Sequence, residues 1–504
     1  MKTSPLCNSL AFLLLILTAP VFAGDSQPDY PVRDADKVSR IVMPGNYPDP
    51  TILKHGDKFY LTHNSDDNVP GLPIWESTDL VNWKRITNVL QKHIGAAWAP
   101  EIIHHNDEFF IYFTVMSPER VLENYVVKSK DIMGPWSEPL FMDVAGIDPG
   151  HIVDQEGNRY IYMSKGWIYD LSPDGLHIMS EGRKVYEGWE IPEYWLIECF
   201  CGESPKLIYK DGYYHLLTAQ GGTAGPATSH MVVAARSKNV DGPWENSPHN
   251  PIIKTWNKSE RLWSKGHGTI FDAGDDEWYM IYHGYEKNFL TLGRQVAIAP
   301  MIWDDEGWFH VADEMELEDA VAVDWRDEFD GPELLPNLAF LSRADVESGY
   351  ELKKGQLILE GVGEKISDES VLLSNAEHRS YQVETKLQVD AGVTAGLVVY
   401  YDGVANGGMA VKKDTVSQIV KTNDSRSPQK IKEGSEVWLR IQNLEQDIAM
   451  FYSLDGESWE KFDFGMEVSG WHHNSFGRFR SLRIGLFAYG EGHAVFDYLD
   501  YRSL

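Results

Sequence analysis

The stretch PDPTILKHGDKFYLTHN, residues 48–64, decides the fold because its layout returns four times further along the chain. Each copy has a short polar motif, an apolar strand, a polar turn and an aromatic-rich strand, which is the pattern of a tight hairpin. Related hairpins in this number indicate an internal repeat. The later copies are APEIIHHNDEFFIYFT (99–114), IDPGHIVDQEGNRYIYMS (147–164), GESPKLIYKDGYYHLLTA (202–219) and GHGTIFDAGDDEWYMIYHG (266–284).

The spacing of the copies indicates the architecture. Their polar lead residues fall at positions 49, 101, 148, 203 and 267, in steps of 52, 47, 55 and 64 residues. Units of roughly 50 residues are typical of four-stranded propeller blades, so we predict a five-bladed β-propeller over residues 24–318. Because all inner strands of a propeller start at the same end of its axis, the lead residues should converge there: Asp49, Glu101, Asp148, Glu203 and His267.

A different pattern follows the last copy. From residue 319 onward, short alternating strands such as QLILEGV (356–362) and AGLVVYYD (395–402) follow one another without a stretch of helical period. We predict an antiparallel β-sandwich over 319–504, a concanavalin or lectin-like jelly roll, and an all-β fold for the whole chain. The connector 312–324 contains no Gly, Pro or Ser. This favours a docked sandwich that lends a loop to the pocket over a freely swinging binding module.

The first 23 residues have the pattern of a signal peptide. Lys2 precedes the apolar run 11–17, and the sequence Val-Phe-Ala at 21–23 offers a small-residue cleavage site. The run is too short to span a bilayer. No later stretch is long and apolar enough for a membrane helix, so we expect a protein exported to the periplasm or the medium, without membrane insertion.

Composition narrows the class of partner. The net charge of −31 repels phosphate backbones, which argues against nucleic acid. Tryptophan, tyrosine and phenylalanine total 61, and flat aromatic faces suit the C–H faces of sugars, although aromatics also fill β cores. Cys199 and Cys201 are the cysteines that remain after cleavage. Two cysteines one residue apart make a poor disulfide and only half a metal site, so we expect two small buried side chains.

Three carboxyl groups predicted to share one pocket point to acid–base chemistry. Like charges held close together raise the pKa of at least one carboxyl group, so an acid and a base lie side by side. Glycoside hydrolysis uses this division, with a protonated carboxyl group for the leaving oxygen and an ionised carboxylate for the water.

At these residues the chain resembles glycoside hydrolase family 43, a family of five-bladed propellers. The matching motifs are YPDP (47–50), GIDPG (146–150) and GESPKL (202–207). The resemblance implies that Asp49 is the general base and Glu203 the general acid. It implies that Asp148 raises the pKa of the acid and orients it.

Further motifs imply residues that bind substrate or an ion. WAPE (98–101) places Trp98 at the wall of the sugar pocket, and Glu101 either contacts the substrate or braces the axis. LGRQ (292–295) implies that Arg294 reaches into the pocket from the last blade. GHG (266–268) implies that His267 lies near a hydrated cation, often calcium. No organic cofactor is expected.

One departure from the family concerns the acid. Ser204 follows Glu203, where the family usually has glycine, and upstream Glu198-Cys199 is similar to the Glu-Cys of related fructan hydrolases. The repeat favours Glu203, which lies eight residues before the turn at Asp211, whereas Glu198 lies 13 before it. We therefore expect Glu198 at the rim of the pocket.

The resemblance also suggests a substrate. Residues 220–231 and the appended sandwich look like those of exo-acting α-L-arabinofuranosidases and β-xylosidases. We expect release, with inversion, of terminal α-L-arabinofuranosyl residues from plant cell-wall polysaccharides or oligosaccharides. The alternative is a β-D-xylosidase acting on xylo-oligosaccharides. The rival class, a non-catalytic sugar-binding propeller, would not need three axial carboxylates.

Overall fold

A computed structural model describes residues 35–345, 348–420 and 424–504. The predicted signal peptide, residues 1–23, lies outside the described residues. Almost all regular structure is β-strand, which confirms the all-β prediction. The remaining elements within these ranges are five short helical turns: Ala35–Val38, Ser164–Gly166, Leu290–Leu292, Asp368–Ser370 and His473–Phe476.

Each copy of the repeat forms the two innermost strands of an antiparallel sheet, so the predicted five blades are present. Blade one contains Thr51–His55, Lys58–Thr62, Gly71–Ser77 and Lys84–Leu90. Blade two contains Ala96–His105, Glu108–Met116, Leu122–Ser129 and Leu140–Met142. Blade three contains Gly150–Val153, Arg159–Met163, Trp167–Leu171 and Arg183–Lys184. Blade four contains Glu203–Lys210, Tyr213–Gln220, Met231–Ser237, Glu245–Asn246 and Ile253–Lys254.

The fifth blade closes the ring because it takes one strand from the beginning of the propeller. Arg40–Met43 pairs with Arg294–Trp303, a strand of the last blade. A backbone hydrogen bond of 2.9 Å from Tyr47 N to the Arg294 carbonyl continues this junction toward the axis. The strands of blade five are Leu262–Gly274, Glu277–Glu286, Arg294–Trp303, Phe309–Val311 and Arg40–Met43.

Each blade has a residue with a left-handed backbone just before, at or a few residues after the beginning of its innermost strand. These residues are Asp49, Ala99, Asp148, Ser204 and His267, with φ of 55°, 41°, 59°, 53° and 55°. The hairpin turn begins seven residues later in blades one to four and eight residues later in blade five. The sequence repeat had aligned Glu101 and Glu203 with these positions, and that alignment is wrong by two residues and by one. Irregular pairing between Trp98 and Glu101, and between Glu203 and Lys206, offsets the two strands.

The carboxy-terminal region folds into two antiparallel sheets around one apolar core, which confirms the predicted sandwich. Leu397, Met409 and Leu486 of one sheet share this core with Val383 and Leu439 of the other. The nine-stranded sheet contains Trp325–Asp327, Tyr350–Leu352, Leu357–Glu360, Ser380–Val389, Val437–Leu444, Asp447–Ser453, Glu460–Lys461, Met466–Glu467 and His493–Ser503. The other sheet contains Ala339–Leu341, Val371–Asn375, Val393–Tyr400, Asn406–Lys412, Thr415–Val420, Asp424–Lys430 and Arg483–Gly490.

The propeller supplies an eighth strand to that second sheet. Asn68–Val69, from the loop between two strands of blade one, pairs with Ala339–Leu341 at the edge of the sandwich. Beside this junction the buried Arg480 side chain lies 2.8 Å from Asp67 and 3.0 Å from Asp368. The sandwich is therefore docked on the propeller through both backbone pairing and a buried ion-pair network.

The connector between the two parts also lies against the propeller. Ala320 N donates a 2.7 Å hydrogen bond to the Ile41 carbonyl. The last propeller strand ends at Val311 and the first sandwich strand begins at Trp325, and the boundary at 318/319 stays a prediction. None of the helices in the described part of the chain has the length and apolarity needed to cross a membrane.

The docked arrangement predicts a large loss of stability from one substitution. Arg480→Ala leaves Asp67 and Asp368 without their shared cation, which should lower the free energy of unfolding by about 3–5 kcal/mol. Arg478→Ala is the matched control, because its side chain is 57% exposed and lies 3.8 Å from Asp368, and it should change that free energy by less than ~1 kcal/mol. Denaturant titration of both variants measures the difference, and equal losses would contradict the importance of this contact.

Candidate active site

A cavity of about 160 Å³ opens at one end of the propeller axis, beside the left-handed residues of the five blades. Asp49, Asp148 and Glu203 all line it, although they come from blades one, three and four. The cavity is also lined by three of the other predicted site residues, Trp98, His267 and Arg294, and by Asn64, Ile147, Glu198, Cys201, Gly222, Thr223, His230, His283 and Phe479. The structure therefore brings together every predicted site residue except Glu101.

Nitrogen-bearing side chains surround Asp49, whose backbone N–H donates a 3.2 Å hydrogen bond to Nδ1 of His283. Arg294 Nη1 donates to Asp49 Oδ1 at 2.8 Å, and Nδ1 atoms of His283 and His267 lie 3.0 and 3.3 Å from the same oxygen. The second carboxylate oxygen accepts a hydrogen bond from the Asn64 side chain. Burial alone would raise the pKa of Asp49, but Arg294 and the two imidazoles outweigh it and hold that pKa well below its usual range. Asp49 is therefore ionised at neutral pH.

Asp148 and Glu203 have the opposite electrostatic environment. Burial and the negative charge of Asp49 raise the pKa of Asp148 to about 7, against the opposing effects of Lys206 and the Ser204 N–H. Burial, followed by the charges of Asp148 and Asp49, raises the pKa of Glu203 well above its usual range. Two neighbouring carboxyl groups with raised pKa values retain protons that isolated groups would lose. The pocket thus combines an ionised carboxylate with a protonated carboxyl group.

Backbone geometry positions these groups. Asp148 N donates to Thr114 Oγ1 at 3.0 Å, and Asp148 Oδ2 accepts a 3.1 Å hydrogen bond from Ser204 N. The second bond connects blade three to the residue that follows Glu203. The residue after the acid therefore contributes its N–H to Asp148, a contact that does not depend on whether that residue is serine or glycine.

The sequence repeat did not reveal several residues of the pocket. Asn64, besides contacting Asp49, accepts a hydrogen bond from the Ala99 N–H through its side-chain oxygen. His230 presents two buried ring nitrogens that have no hydrogen-bond partner among the described residues. Burial lowers its pKa well below the usual range, so the ring is neutral. One signal was available: Asn64 and Thr114 are polar residues at the end of the second strand of their repeats.

The sandwich contributes Phe479 to the cavity wall. The Arg294 guanidinium carbon lies 5.4 Å from the centre of the Phe479 ring. His473 stacks on that ring, and its Nδ1 accepts a 2.7 Å hydrogen bond from Phe479 N. The expectation that the sandwich lends a loop to the pocket agrees with this contact.

Glu101 lies one layer deeper on the axis. It occupies a position two residues beyond Ala99 in its blade, as Thr51 and Lys206 do beyond Asp49 and Ser204. Lys206 Nζ lies 2.5 Å from Glu101 Oε2, which also accepts a 3.1 Å hydrogen bond from Thr51 Oγ1. Glu101 is not among the cavity-lining residues, so its contacts brace the axis below the pocket.

The layer below the pocket, which contains Glu101 and Lys206, can be compared with the expected calcium site. No group of three His, Cys, Asp or Glu side chains within the described ranges could hold a metal ion. Glu101 is already neutralised by Lys206, and the same lysine opposes positive charge at His267. These residues do not fit a calcium ion held directly by protein ligands. A hydrated ion beside His267, whose buried Nε2 has no protein partner in the described structure, stays a prediction.

The prediction that the two cysteines are small buried side chains is wrong. Cys199 and Cys201 form a disulfide, and both are only partly buried. The φ of 41° at Cys201 curls the backbone and leaves the two Cα atoms 5.3 Å apart, within the range that a disulfide spans. The adjacent Glu198 accepts hydrogen bonds of 2.7 and 3.0 Å from the N–H groups of Ala224 and Gly225. Glu198 therefore fastens one rim loop to another.

A five-bladed propeller whose axial pocket holds an ionised carboxylate and a protonated carboxyl group defines a glycoside hydrolase. Comparison with known sequences gives the family. The model of "Glycosyl hydrolases family 43" matches residues 38–309, and that of a "Beta xylosidase C-terminal Concanavalin A-like domain" matches residues 326–502. The chain belongs to glycoside hydrolase family 43.

Similar proteins match along nearly the whole chain. A "Beta-xylosidase" of Bacillus subtilis is 26% identical over 86% of this chain and 92% of its own length. A "Non-reducing end alpha-L-arabinofuranosidase BoGH43B" of Bacteroides ovatus is 27% identical over 92% of this chain and 94% of its own. The crystal structure of a xylan beta-1,4-xylosidase from Bacillus halodurans is 25% identical, with a TM-score of 0.82 over 92% of this chain and 99% of that one.

Proposed function

We propose that this chain is an exo-acting, inverting glycoside hydrolase that releases a terminal pentose, α-L-arabinofuranose in the first instance, from plant cell-wall polysaccharides or oligosaccharides. The observation that carries the proposal is that Asp49, paired with Arg294, and Glu203 share one pocket, in which their pKa values are shifted in opposite directions. A binding site for a neutral sugar would have no use for this pair. Export, as the pattern of residues 1–23 predicts, would place the enzyme where such glycans occur.

The proposed reaction is a single displacement. Asp49 takes a proton from a water molecule, and the water oxygen forms a bond with the anomeric carbon. The bond from that carbon to the leaving oxygen breaks, and Glu203 donates its proton to the leaving oxygen. Asp148, whose charge raises the pKa of Glu203, keeps the acid protonated until it is needed. Trp98, His230 and Arg294 line the space where the sugar binds.

The shape of the pocket supports attack at a chain end. Phe479 covers one side of the cavity from the sandwich, and Glu198, Gly222 and Thr223 cover another from blade four. Walls from both the sandwich and blade four narrow the pocket, which favours the binding of one terminal sugar over a chain that continues through the site.

A second candidate sugar is D-xylose. The carboxy-terminal match is described as a β-xylosidase domain, and the Bacillus subtilis relative is named a β-xylosidase, whereas the Bacteroides ovatus relative is named an arabinofuranosidase. The two pentoses differ in ring form and anomeric configuration. The pocket residues that we describe serve either sugar.

Paired hydrolysis tests the proposal directly. We expect the purified enzyme to release p-nitrophenol from the α-L-arabinofuranoside faster than from the β-D-xyloside, and proton NMR to show the first-formed sugar with inverted configuration, because a water molecule fits between carboxyl groups roughly 6.5–9.5 Å apart. The reverse preference would select the xylosidase. A first product with retained configuration would rule out the single displacement.

The assignment of the acid predicts a dependence on the leaving group. Glu203→Ala should reduce kcat on unactivated oligosaccharides by about 10²–10⁴-fold, because general acid catalysis contributes that much, and should reduce it far less on p-nitrophenyl glycosides. Glu198→Ala is the control, because its carboxylate is bonded to backbone N–H groups. Equal losses of Glu203→Ala on both substrates would move the role of the acid to Glu198.

The raised pKa of Glu203 predicts a shift in the pH profile. Glu203 must keep its proton, so activity falls as the pH rises through its pKa. Asp148→Asn removes a negative charge that raises this pKa. Glu203 should then lose its proton at a lower pH, and the alkaline limb of kcat/KM on an unactivated oligosaccharide should move to lower pH. An alkaline limb that stays at the same pH or moves to higher pH would contradict the proposed role of Asp148.

A further inference from the structure

An exposed aromatic ring lies on the chain segment that supplies part of the pocket wall, outside the residues that line the cavity. Phe200 is 42% exposed. Cys201, the next residue, and Glu198, two residues before Phe200, belong to the cavity wall. The acid Glu203 follows three residues later, so Phe200 belongs to the segment that supplies the proton for the leaving group.

One side of the Phe200 ring packs against two glycines. A Cβ atom added at Gly188 would come within 2.3 Å of the Phe200 ring, and one at Gly202 would come within 3.1 Å. The ring therefore occupies the space that a side chain at Gly188 would fill. Its other side remains open to solvent, as the exposure of the side chain shows.

The backbone that carries the ring is also restrained. The Cys199–Cys201 disulfide closes a small loop around Phe200, and the Phe200 carbonyl accepts a 3.0 Å hydrogen bond from Gly221 N. Gln220 holds the segment that contains Gly188, because its side chain bonds both the N–H and the carbonyl of Trp189 at 3.1 Å. A single exposed apolar side chain is ordinary on a protein surface, but a ring fixed in this way is preorganised for a ligand.

We propose that Phe200 binds the leaving-group sugar, the unit to which the released pentose is attached, by stacking against its C–H face. The inference rests on the proposed function and adds a specificity-determining residue to it. The pocket holds the terminal sugar, Glu203 meets the glycosidic oxygen, and the next sugar emerges beside Cys201 onto the Phe200 ring. A neutral, flat and partly apolar ligand fits a neutral aromatic surface.

Binding measurements in an inactive background separate the two sugar positions. In Glu203→Gln protein, titration calorimetry compares the free pentose, which fills only the pocket, with a disaccharide and a trisaccharide that end in the same pentose. Phe200→Ala should weaken oligosaccharide binding roughly five- to tenfold, the size of one aromatic contact, and leave the affinity for the free pentose unchanged. Phe200→Tyr should restore the oligosaccharide affinity, whereas Phe200→Leu should not.

A matched control guards against a general effect of losing an exposed phenylalanine. Phe141, on an outer strand of blade two, is 52% exposed, and Phe141→Ala should bind all ligands as the parent does. In the active enzyme, Phe200→Ala should raise KM for oligosaccharides by the same factor and leave kcat and inhibition by the free pentose unchanged.

The outcomes distinguish this inference from the proposed function. If the wild-type enzyme hydrolyses the glycosides but Phe200→Ala binds oligosaccharides as before, the inference alone is overturned. The same holds if affinity for the free pentose falls in parallel with that for the oligosaccharides, because Phe200 would then act on the pocket itself. A wild-type enzyme that releases no pentose from any substrate would overturn the proposed function, and this inference with it.

Discussion

The buried ion pair between Arg294 and Asp49 is the interaction on which the site depends. It joins the last blade to the first, beside the strand pairing that closes the ring. The backbone N–H of Arg294 also donates a 3.0 Å hydrogen bond to the side-chain oxygen of Asn46. Both charges are almost completely removed from water, which is costly for each alone and tolerable only because the geometry pairs them. The contact that joins the last blade to the first therefore also keeps Asp49 ionised. Burial, together with the negative charge of Asp49, raises the pKa values of Asp148 and Glu203.

The fold could be predicted from the sequence because its repeat has a physical cause. Each blade needs an apolar inner hairpin with a tight turn, and one continuous segment of sequence encodes each of the five hairpins. The exact register could not be predicted, because irregular pairing at Glu101 and Glu203 shifts these strands without changing the composition of the motif. A shift of two residues places Glu101 in the layer below the pocket, so of the two roles predicted for it the structure favours bracing the axis.

The other residues of the pocket could not be predicted from the sequence for a different reason. Asn64, His230 and Phe479 reach the pocket through contacts between distant parts of the chain, and Phe479 comes from another domain. No local pattern distinguishes His230 and Phe479 from structural residues, and only its polar character at the end of a repeat marks Asn64. The disulfide was misjudged because cysteines one residue apart are close enough only when the backbone curls, and the left-handed conformation of Cys201 is a property of the folded loop.

The strand Asn68–Val69 has a consequence for how such enzymes evolve and are engineered. It covers the edge of a sandwich sheet, next to Ala339–Leu341. Uncovered sheet edges invite pairing with other chains and aggregation. A sandwich joined to a different propeller would need a segment that pairs with Ala339–Leu341 in the same register. Without it, the edge strand would expose unpaired N–H and C=O groups to other chains. The accessory domain is therefore not an interchangeable module, and the two domains should be recombined among homologues only together with the loop that joins their sheets.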